Sequence, residues 1–133
     1  MKINGVKNRR SGHTAERKLA KMFRDLGFDR CTTTRSSSRL LDSCGIDLDF
    51  IPVHVQSKAG KQTQLKPAGE LKYITERLKE KLPKDSPYQE YTKAVIQLKP
   101  VGKGKKRTEF DDIVTMTLKD YLTLVKLAYV KEN

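Results

Sequence analysis

The stretch Gly45–Lys58, GIDLDFIPVHVQSK, constrains this chain more than any other. Leu48 and Phe50 alternate with Asp47 and Asp49. Past Pro52, Val53 and Val55 alternate with His54, Gln56 and Lys58. Period-2 alternation on both sides of a turn signal predicts a β-hairpin. With the turn centred near Ile51–Val53, Asp47 lies opposite Ser57 and Lys58, and Gln56 shares a face with Lys58. A carboxylate, a carboxamide and an ammonium then converge at the open end of the hairpin. Carboxylate and amide oxygens are hard ligands that suit Mg²⁺, with water and phosphate completing its shell. A neighbouring lysine can orient an attacking water or offset the charge that grows on phosphorus. The same residues also describe a solvated edge hairpin with its polar side chains facing out. Asp49 is expected to point the way Asp47 does, beside the site or towards solvent. His54 shares the Gln56 and Lys58 face, and packing or surface exposure is its simpler role.

The length, 133 residues, fits one domain spanning 1–133, with residues 1–12 expected as a flexible basic arm. No run approaches the roughly 20 apolar residues of a membrane span. The basic N-terminus has no apolar stretch behind it and does not read as a secretory signal. Cys31 and Cys44 lack metal-ligand spacing, so reduced thiols in a cytoplasmic protein are expected. Lys and Arg number 28 against 16 Asp and Glu, a net of +12. Residues 1–40 hold eleven of these bases and only three acids. A concentrated basic field attracts polyanions, and nucleic acid is the commonest in a cytosol. There is no Trp, which disfavours a stacking platform for single strands and favours backbone-phosphate contacts.

In chain order, residues 13–26 predict an amphipathic helix with Ala15, Leu19, Met22, Phe23 and Leu26 on its apolar stripe and Gly27 at its stop. Glu16 lies in its first turn beside that stripe, where it favours the helix dipole and could also reach into a site. Arg9 and Arg10 precede the helix and are candidates to grip a phosphate. A short strand is expected around Arg30–Thr34. The serine run 36–38 then reads as a mobile loop flanked by Arg35 and Arg39, suited to phosphate contact or to a plain linker. Residues 70–82 predict a second helix with Leu71, Ile74, Leu78 and Leu82 on one face. Strands follow at 91–98 and around 112–117, separated by a basic turn over 99–107 that contains Lys105 and Lys106. A last helix places Leu118, Leu122, Val125 and Tyr129 inward. The order α-β-β-β-α-β-β-α implies an α/β fold, a mixed sheet covered by helices.

These residues resemble the PD-(D/E)XK nuclease superfamily, and within it the archaeal-type Holliday junction resolvases. Arg9–Arg17 looks like that family's basic arm and first acidic helix, and Leu26-Gly27-Phe28 like its exit into a strand. Ser36–Ser38 sits where the resolvases carry a loop near the scissile phosphate. Gly45-Ile46-Asp47 corresponds to the "PD" acid and Gln56-Ser57-Lys58 to the "(D/E)XK" element. The likeness covers about residues 7–60. Ile46 departs from the proline. Gln56 departs from the second acid, which removes a negative charge but keeps a carbonyl oxygen.

The resemblance implies a restriction-endonuclease-like fold and a Mg²⁺-dependent DNA endonuclease, with Mn²⁺ as a possible substitute. Glu16, Asp47 and Gln56 would ligate the metal, Lys58 would position water, and Ser38 would touch the phosphate. Arg9, Arg10, Arg35, Arg39, Lys105 and Lys106 would contact DNA. It also implies a four-way junction or other branched DNA as substrate, and a homodimer. The competing enzyme is a nicking, restriction-like or repair nuclease of the same fold. Against both stands a non-catalytic basic DNA- or RNA-binding module, in which Gln56 marks a lost metal site. No phosphate-cradling glycine loop or Ser-His-Asp pattern is present.

Overall fold

A computed structural model describes residues 2–59 and 66–131, with side chains from residue 12 onward. The fold is mixed α/β. Its first helix, α1, spans Lys2–Leu26, so the expected helix at 13–26 is the second half of a longer one. The side chains of Arg9 and Arg10 lie outside the described residues. The stop is at Gly27, whose φ of 122° is open to glycine and costly to other residues. There the Phe28 N–H donates back to the Phe23 carbonyl at 3.2 Å.

Two short strands, β1 (Thr32–Thr33) and β2 (Leu48–Asp49), pair antiparallel. Between them run two short helices, α2 (Thr34–Ser37) and α3 (Arg39–Ser43). The mobile loop expected over the serines is therefore corrected. Their hydroxyls bond locally, with Ser36 Oγ donating to the Thr33 carbonyl at 2.9 Å and Ser37 Oγ to Asp49 at 2.7 Å.

The main sheet has the order β3-β4-β5 and is built from β3 (His54–Ala59), β4 (Lys93–Leu98) and β5 (Asp112–Thr115). β3 and β4 run parallel, joined by the crossover helix α4 (Pro67–Lys81), while β4 and β5 run antiparallel. The last helix, α5, spans Leu118–Tyr129. The predicted hairpin is corrected too. β2 and β3 belong to different sheets, and the bend falls at Phe50, in the left-handed region with φ 64°. Asp47, just before β2, joins that segment to β3, its N–H donating to the Val55 carbonyl at 2.8 Å and its Oδ2 accepting from the Ser57 N–H at 2.7 Å.

Two apolar clusters flank the sheet. Ala15, Leu19 and Ala20 of α1 pack with Val55, Ile96 and Leu98 on one side. Ile74 and Leu78 of α4 pack with Leu41, Cys44 and Ile46 on the other. Burying each large aliphatic side chain contributes about 1.5–3 kcal/mol, more than helix propensity supplies. The apolar stripe of α4 is thus seated as its spacing predicts. Met22 and Leu26 of the expected α1 stripe are exposed instead. Cys31 and Cys44 are buried and unpaired. Among the described residues, no helix is long and apolar enough to cross a membrane.

Candidate active site beside β3

Alternation along β3 sends Val55 and Ser57 towards α1 and Gln56 and Lys58 towards α4. Asp47 enters from the segment before β2. Its backbone is fixed from both sides. The Thr34 N–H donates to the Asp47 carbonyl at 2.9 Å, and the Asp47 N–H bonds Val55. Thr34 is fully buried, and its Oγ1 also donates to the Ile46 carbonyl at 2.7 Å. The Asp47 carboxylate accepts from the Ser57 N–H through Oδ2 at 2.7 Å. Burial pushes its pKa up to about 7, and the nearby charges of Glu16 and Asp42 add to the rise. The Ser57 hydrogen bond and the Arg35 charge pull it back down in part. Asp47 thus lies beside Val55 and Ser57, close to the expected position opposite Ser57 and Lys58.

Gly45 explains how Gln56 is brought near. It has φ 81°, and a Cβ there would stand 3.1 Å from Gln56 Nε2 and 3.3 Å from the Tyr73 ring. Only a residue without a side chain lets the three approach. The Gln56 side chain is buried, and its Oε1 has no hydrogen-bond partner. An orphaned buried carbonyl oxygen costs about 1–3 kcal/mol and wants a cation or a donor. Ser57 Oγ and His13 Nε2 are likewise buried without partners.

Two acids of the site are matched with bases. Glu16 is buried on α1, and both of its oxygens accept from the Arg35 guanidinium, at 2.9 and 3.2 Å. This fork is the strong bidentate geometry, and it raises the Arg35 pKa. Lys58 Nζ lies 3.3 Å from Glu70 Oε1 in the first turn of α4. Glu70 and Tyr73 share a face of that helix by their i, i+3 spacing. Sequence reasoning missed Glu70, Tyr73 and Thr34. The residues that place them near β3 are spread over 40 positions of chain and form no motif, though the helical spacing of Glu70 and Tyr73 was readable.

Glu16 of α1 and Asp47 before β2 lie close enough for their charges to interact, while Gln56 and Lys58 leave β3 on the α4 face, Gln56 beside Gly45 and Tyr73 and Lys58 beside Glu70. Ser38 is not brought in as a phosphate ligand. Its Oγ accepts from the Leu41 N–H at 3.2 Å and caps α3. Arg39 begins α3 and is exposed. Lys105 and Lys106 are exposed in the 99–107 turn, which leaves the sheet at the Lys58 end because Ala59 is level with Leu98. Asp49 is buried, accepting from Ser37 Oγ and from the Phe50 N–H. His54 is buried against Tyr88 and Tyr91, and its Nε2 donates to the Tyr88 carbonyl at 2.8 Å. Desolvation lowers its pKa to about 4, so it packs as a neutral ring. A cavity of about 240 Å³ lined by Asp49, Phe50, Tyr88 and Tyr91 includes none of the four site residues.

For a divalent cation, the donor set fits a weak oxygen site. Asp47 Oδ1, the orphaned Gln56 Oε1 and Glu16, once released by Arg35, would be its donors. Among the described residues no three His, Cys, Asp or Glu side chains gather as a metal group, so water or phosphate oxygens would complete the shell. Comparison with protein-family models, curated proteins and solved structures found no match.

Proposed function

We propose that the chain is a metal-dependent DNA endonuclease of PD-(D/E)XK type, with a restriction-endonuclease-like fold, acting in a cytoplasm on four-way or other branched DNA. The observation that carries this reading is the buried, unpartnered Gln56 Oε1 next in sequence to Ser57, whose N–H holds an aspartate whose ionisation is suppressed. Both features are relieved by the same thing, a cation. Mg²⁺ would be held by Asp47, Gln56 and Glu16, and when bound it would supply Lewis acidity at the phosphate. Asp47 keeps its Oδ1 available while Ser57 fixes Oδ2. Lys58 presents an ammonium at the same strand end, steadied by Glu70, to hold water and offset charge on phosphorus. Arg35, Arg39, Lys105 and Lys106 supply phosphate contacts at or near that end. Branched DNA rests on the resemblance of residues 7–60 to the junction resolvases, and paired nicks would need two copies.

A labelled four-way junction and its matched linear duplex, incubated with Mg²⁺, Mn²⁺ or EDTA, test this. Wild type should nick the junction only with metal, while Asp47→Ala and Lys58→Ala bind it without cutting. Undiminished cutting by Asp47→Ala removes the assignment. Equal cutting of both substrates keeps the nuclease and withdraws the preference for branches.

The two ion pairs favour a second reading. Glu16 is neutralised by Arg35 and Lys58 by Glu70, as in a site that has closed on itself. The chain would then be a basic binding module that holds nucleic acid by charge and never cuts, whatever the metal.

A further inference from the structure

The bend between β2 and β3 borders a second concave site. Its cavity of about 240 Å³ is lined by Asp49, Phe50, Ile51, Pro52, Tyr88 and Tyr91. Tyr88 and Tyr91 pack on His54, so the cavity lies at the His54 end of β3, about 13 Å along the strand from Lys58. Drug-sized ligands take pockets of roughly 300–1,000 Å³, and this smaller one suits a single flat ring system.

The aromatic walls are held in place, and one is strained. Phe50 has φ 64°, a conformation that glycine adopts freely and an aromatic residue does not. Its ring is still 45% exposed, so the strain gains little for the core. Such outliers gather at binding sites. Asp49 Oδ1 secures the turn by accepting from the Phe50 N–H at 2.8 Å. Tyr88 and Tyr91 stand edge to face with centroids 5.3 Å apart. Buried His54 packs on both and bonds the Tyr88 carbonyl. The rings are therefore set before a ligand arrives, which lowers the cost of binding.

The polar groups decide what the slot holds. Asp49 is buried, and each of its oxygens accepts one neutral donor, the Phe50 N–H on Oδ1 and Ser37 Oγ on Oδ2. An ionised carboxylate has about four acceptor sites, so one is left on each oxygen. Its charge reaches the cavity wall. Desolvation raises the Tyr88 pKa, and Asp49 adds to the rise. Two adjacent acceptors match a flat ring with two adjacent N–H donors. Among the bases of DNA, guanine carries that pair in its N1–H and 2-amino group. At the rim, the exposed Arg30 guanidinium lies 4.4 Å from the centre of the Phe50 ring, placed for the phosphate of such a nucleotide. Aromatic walls with a carboxylate also suit an organic cation, but Arg30 and a net charge of +12 repel one.

We propose that this cavity binds an unpaired guanine of a nucleic-acid strand, its ring on the aromatic walls, its N1–H and 2-amino group on the Asp49 carboxylate and its phosphate at Arg30. The strand as the source of the base rests on the nucleic-acid reading proposed above, while the pocket itself needs no cleavage. Phe50, Tyr88 and Tyr91 supply the stacking surface that the lack of Trp disfavours.

Fluorescence anisotropy of the full chain in EDTA tests this. The probes are labelled duplexes with one looped-out guanine, adenine, cytosine, thymine or hypoxanthine, and the fully paired duplex. The looped-out guanine should bind about tenfold tighter than the paired duplex, the worth of one stacked base. Hypoxanthine, which lacks the 2-amino group, should gain less. Phe50→Gly suits the backbone at φ 64°, so it should keep the fold and bind paired duplex as wild type does, yet lose the gain for guanine. Asp49→Asn should lose the preference for guanine over hypoxanthine. If that variant disturbs the turn, the base series and Phe50→Gly decide. Competition by guanosine monophosphate separates the two sources. Displacement only at millimolar concentration keeps the base in a strand, and displacement at micromolar concentration makes the ligand a free nucleotide. Equal binding of the paired duplex and every looped-out base overturns the pocket and leaves the nucleic-acid reading standing. A guanine gain that Phe50→Gly leaves intact overturns it too. A chain that binds neither DNA nor guanosine monophosphate overturns both. Tetramethylammonium binding that Phe50→Gly removes, with no effect of the base, would make the pocket a cation cage instead.

Discussion

The Asp47 carboxyl is where burial and function pull in opposite directions. In an unfolded chain it would ionise near its ordinary value of 3.8, whereas in the fold it ionises at about 7. Between those pH values the folded chain keeps a proton that the unfolded chain has released. Stability therefore falls as pH rises from about 4 to about 7 and is flat above that. Asp47→Asn keeps an oxygen for the Ser57 N–H and removes the ionisation. In EDTA, urea melts should find the variant more stable than wild type by about 1–3 kcal/mol near pH 8, less than full linkage because water reaches the carboxyl. The difference should vanish near pH 4. A constant difference across the range would mean that Asp47 is not the suppressed group. A cation at the site offsets the same penalty, so metal affinity should fall as pH drops below 7.

At the scale of elements, the tie between α1 and α2 is the Glu16–Arg35 fork. Glu16 is 6% exposed in its side chain and Arg35 is 50% exposed, so removing the arginine strands a buried carboxylate. Arg35→Ala should lower the melting temperature, at a cost of about 1–3 kcal/mol. Added Mg²⁺ or Mn²⁺ should then raise the melting temperature of the variant more than that of wild type, because the cation takes the place of the guanidinium. Equal shifts in the two proteins would leave Glu16 out of the metal site. This pair also shows what the sequence could and could not tell. Period-3.6 and period-2 patterns located α1, β3, α4 and β4 because their apolar faces are seated in a core. The alternation of Gln56 and Lys58 with Val55 and Ser57 along β3 was legible because it is a local property, whereas the hairpin expected to carry Asp47 opposite them does not form. The capture of Glu16 by Arg35 was not legible, since it depends on a serine run that coils into α2 and α3 through side-chain hydrogen bonds to nearby backbone. The inward face expected for α5 is seated only in part, with Val125 half-buried and Leu118, Leu122 and Tyr129 exposed, because a periodic stripe does not say how much of it a neighbouring element reaches.

For the whole molecule, the question is where a net charge of +12 meets a polyanion. Many of the bases are engaged within the fold. Arg107 bonds Asp112 at 2.6 Å and the Lys99 carbonyl at 2.9 Å, and Lys99 lies 3.9 Å from Asp111. These contacts hold the base of the 99–107 turn and project its tip, where Lys105 and Lys106 have no acidic partner among the described residues. Because the turn leaves the sheet at the Lys58 end, a duplex lying across the candidate site would pass the tip as well. Each phosphate contact releases about 0.9 of a counterion from duplex DNA. Lys105→Ala with Lys106→Ala should therefore flatten the plot of log affinity against log salt by about 1.8 for duplex DNA, and weaken binding alike across sequences. Fluorescence anisotropy across a salt series reads both quantities. An unchanged slope would place the nucleic acid away from this end of the sheet, and would separate the basic surface that binds from the carboxylates beside β3.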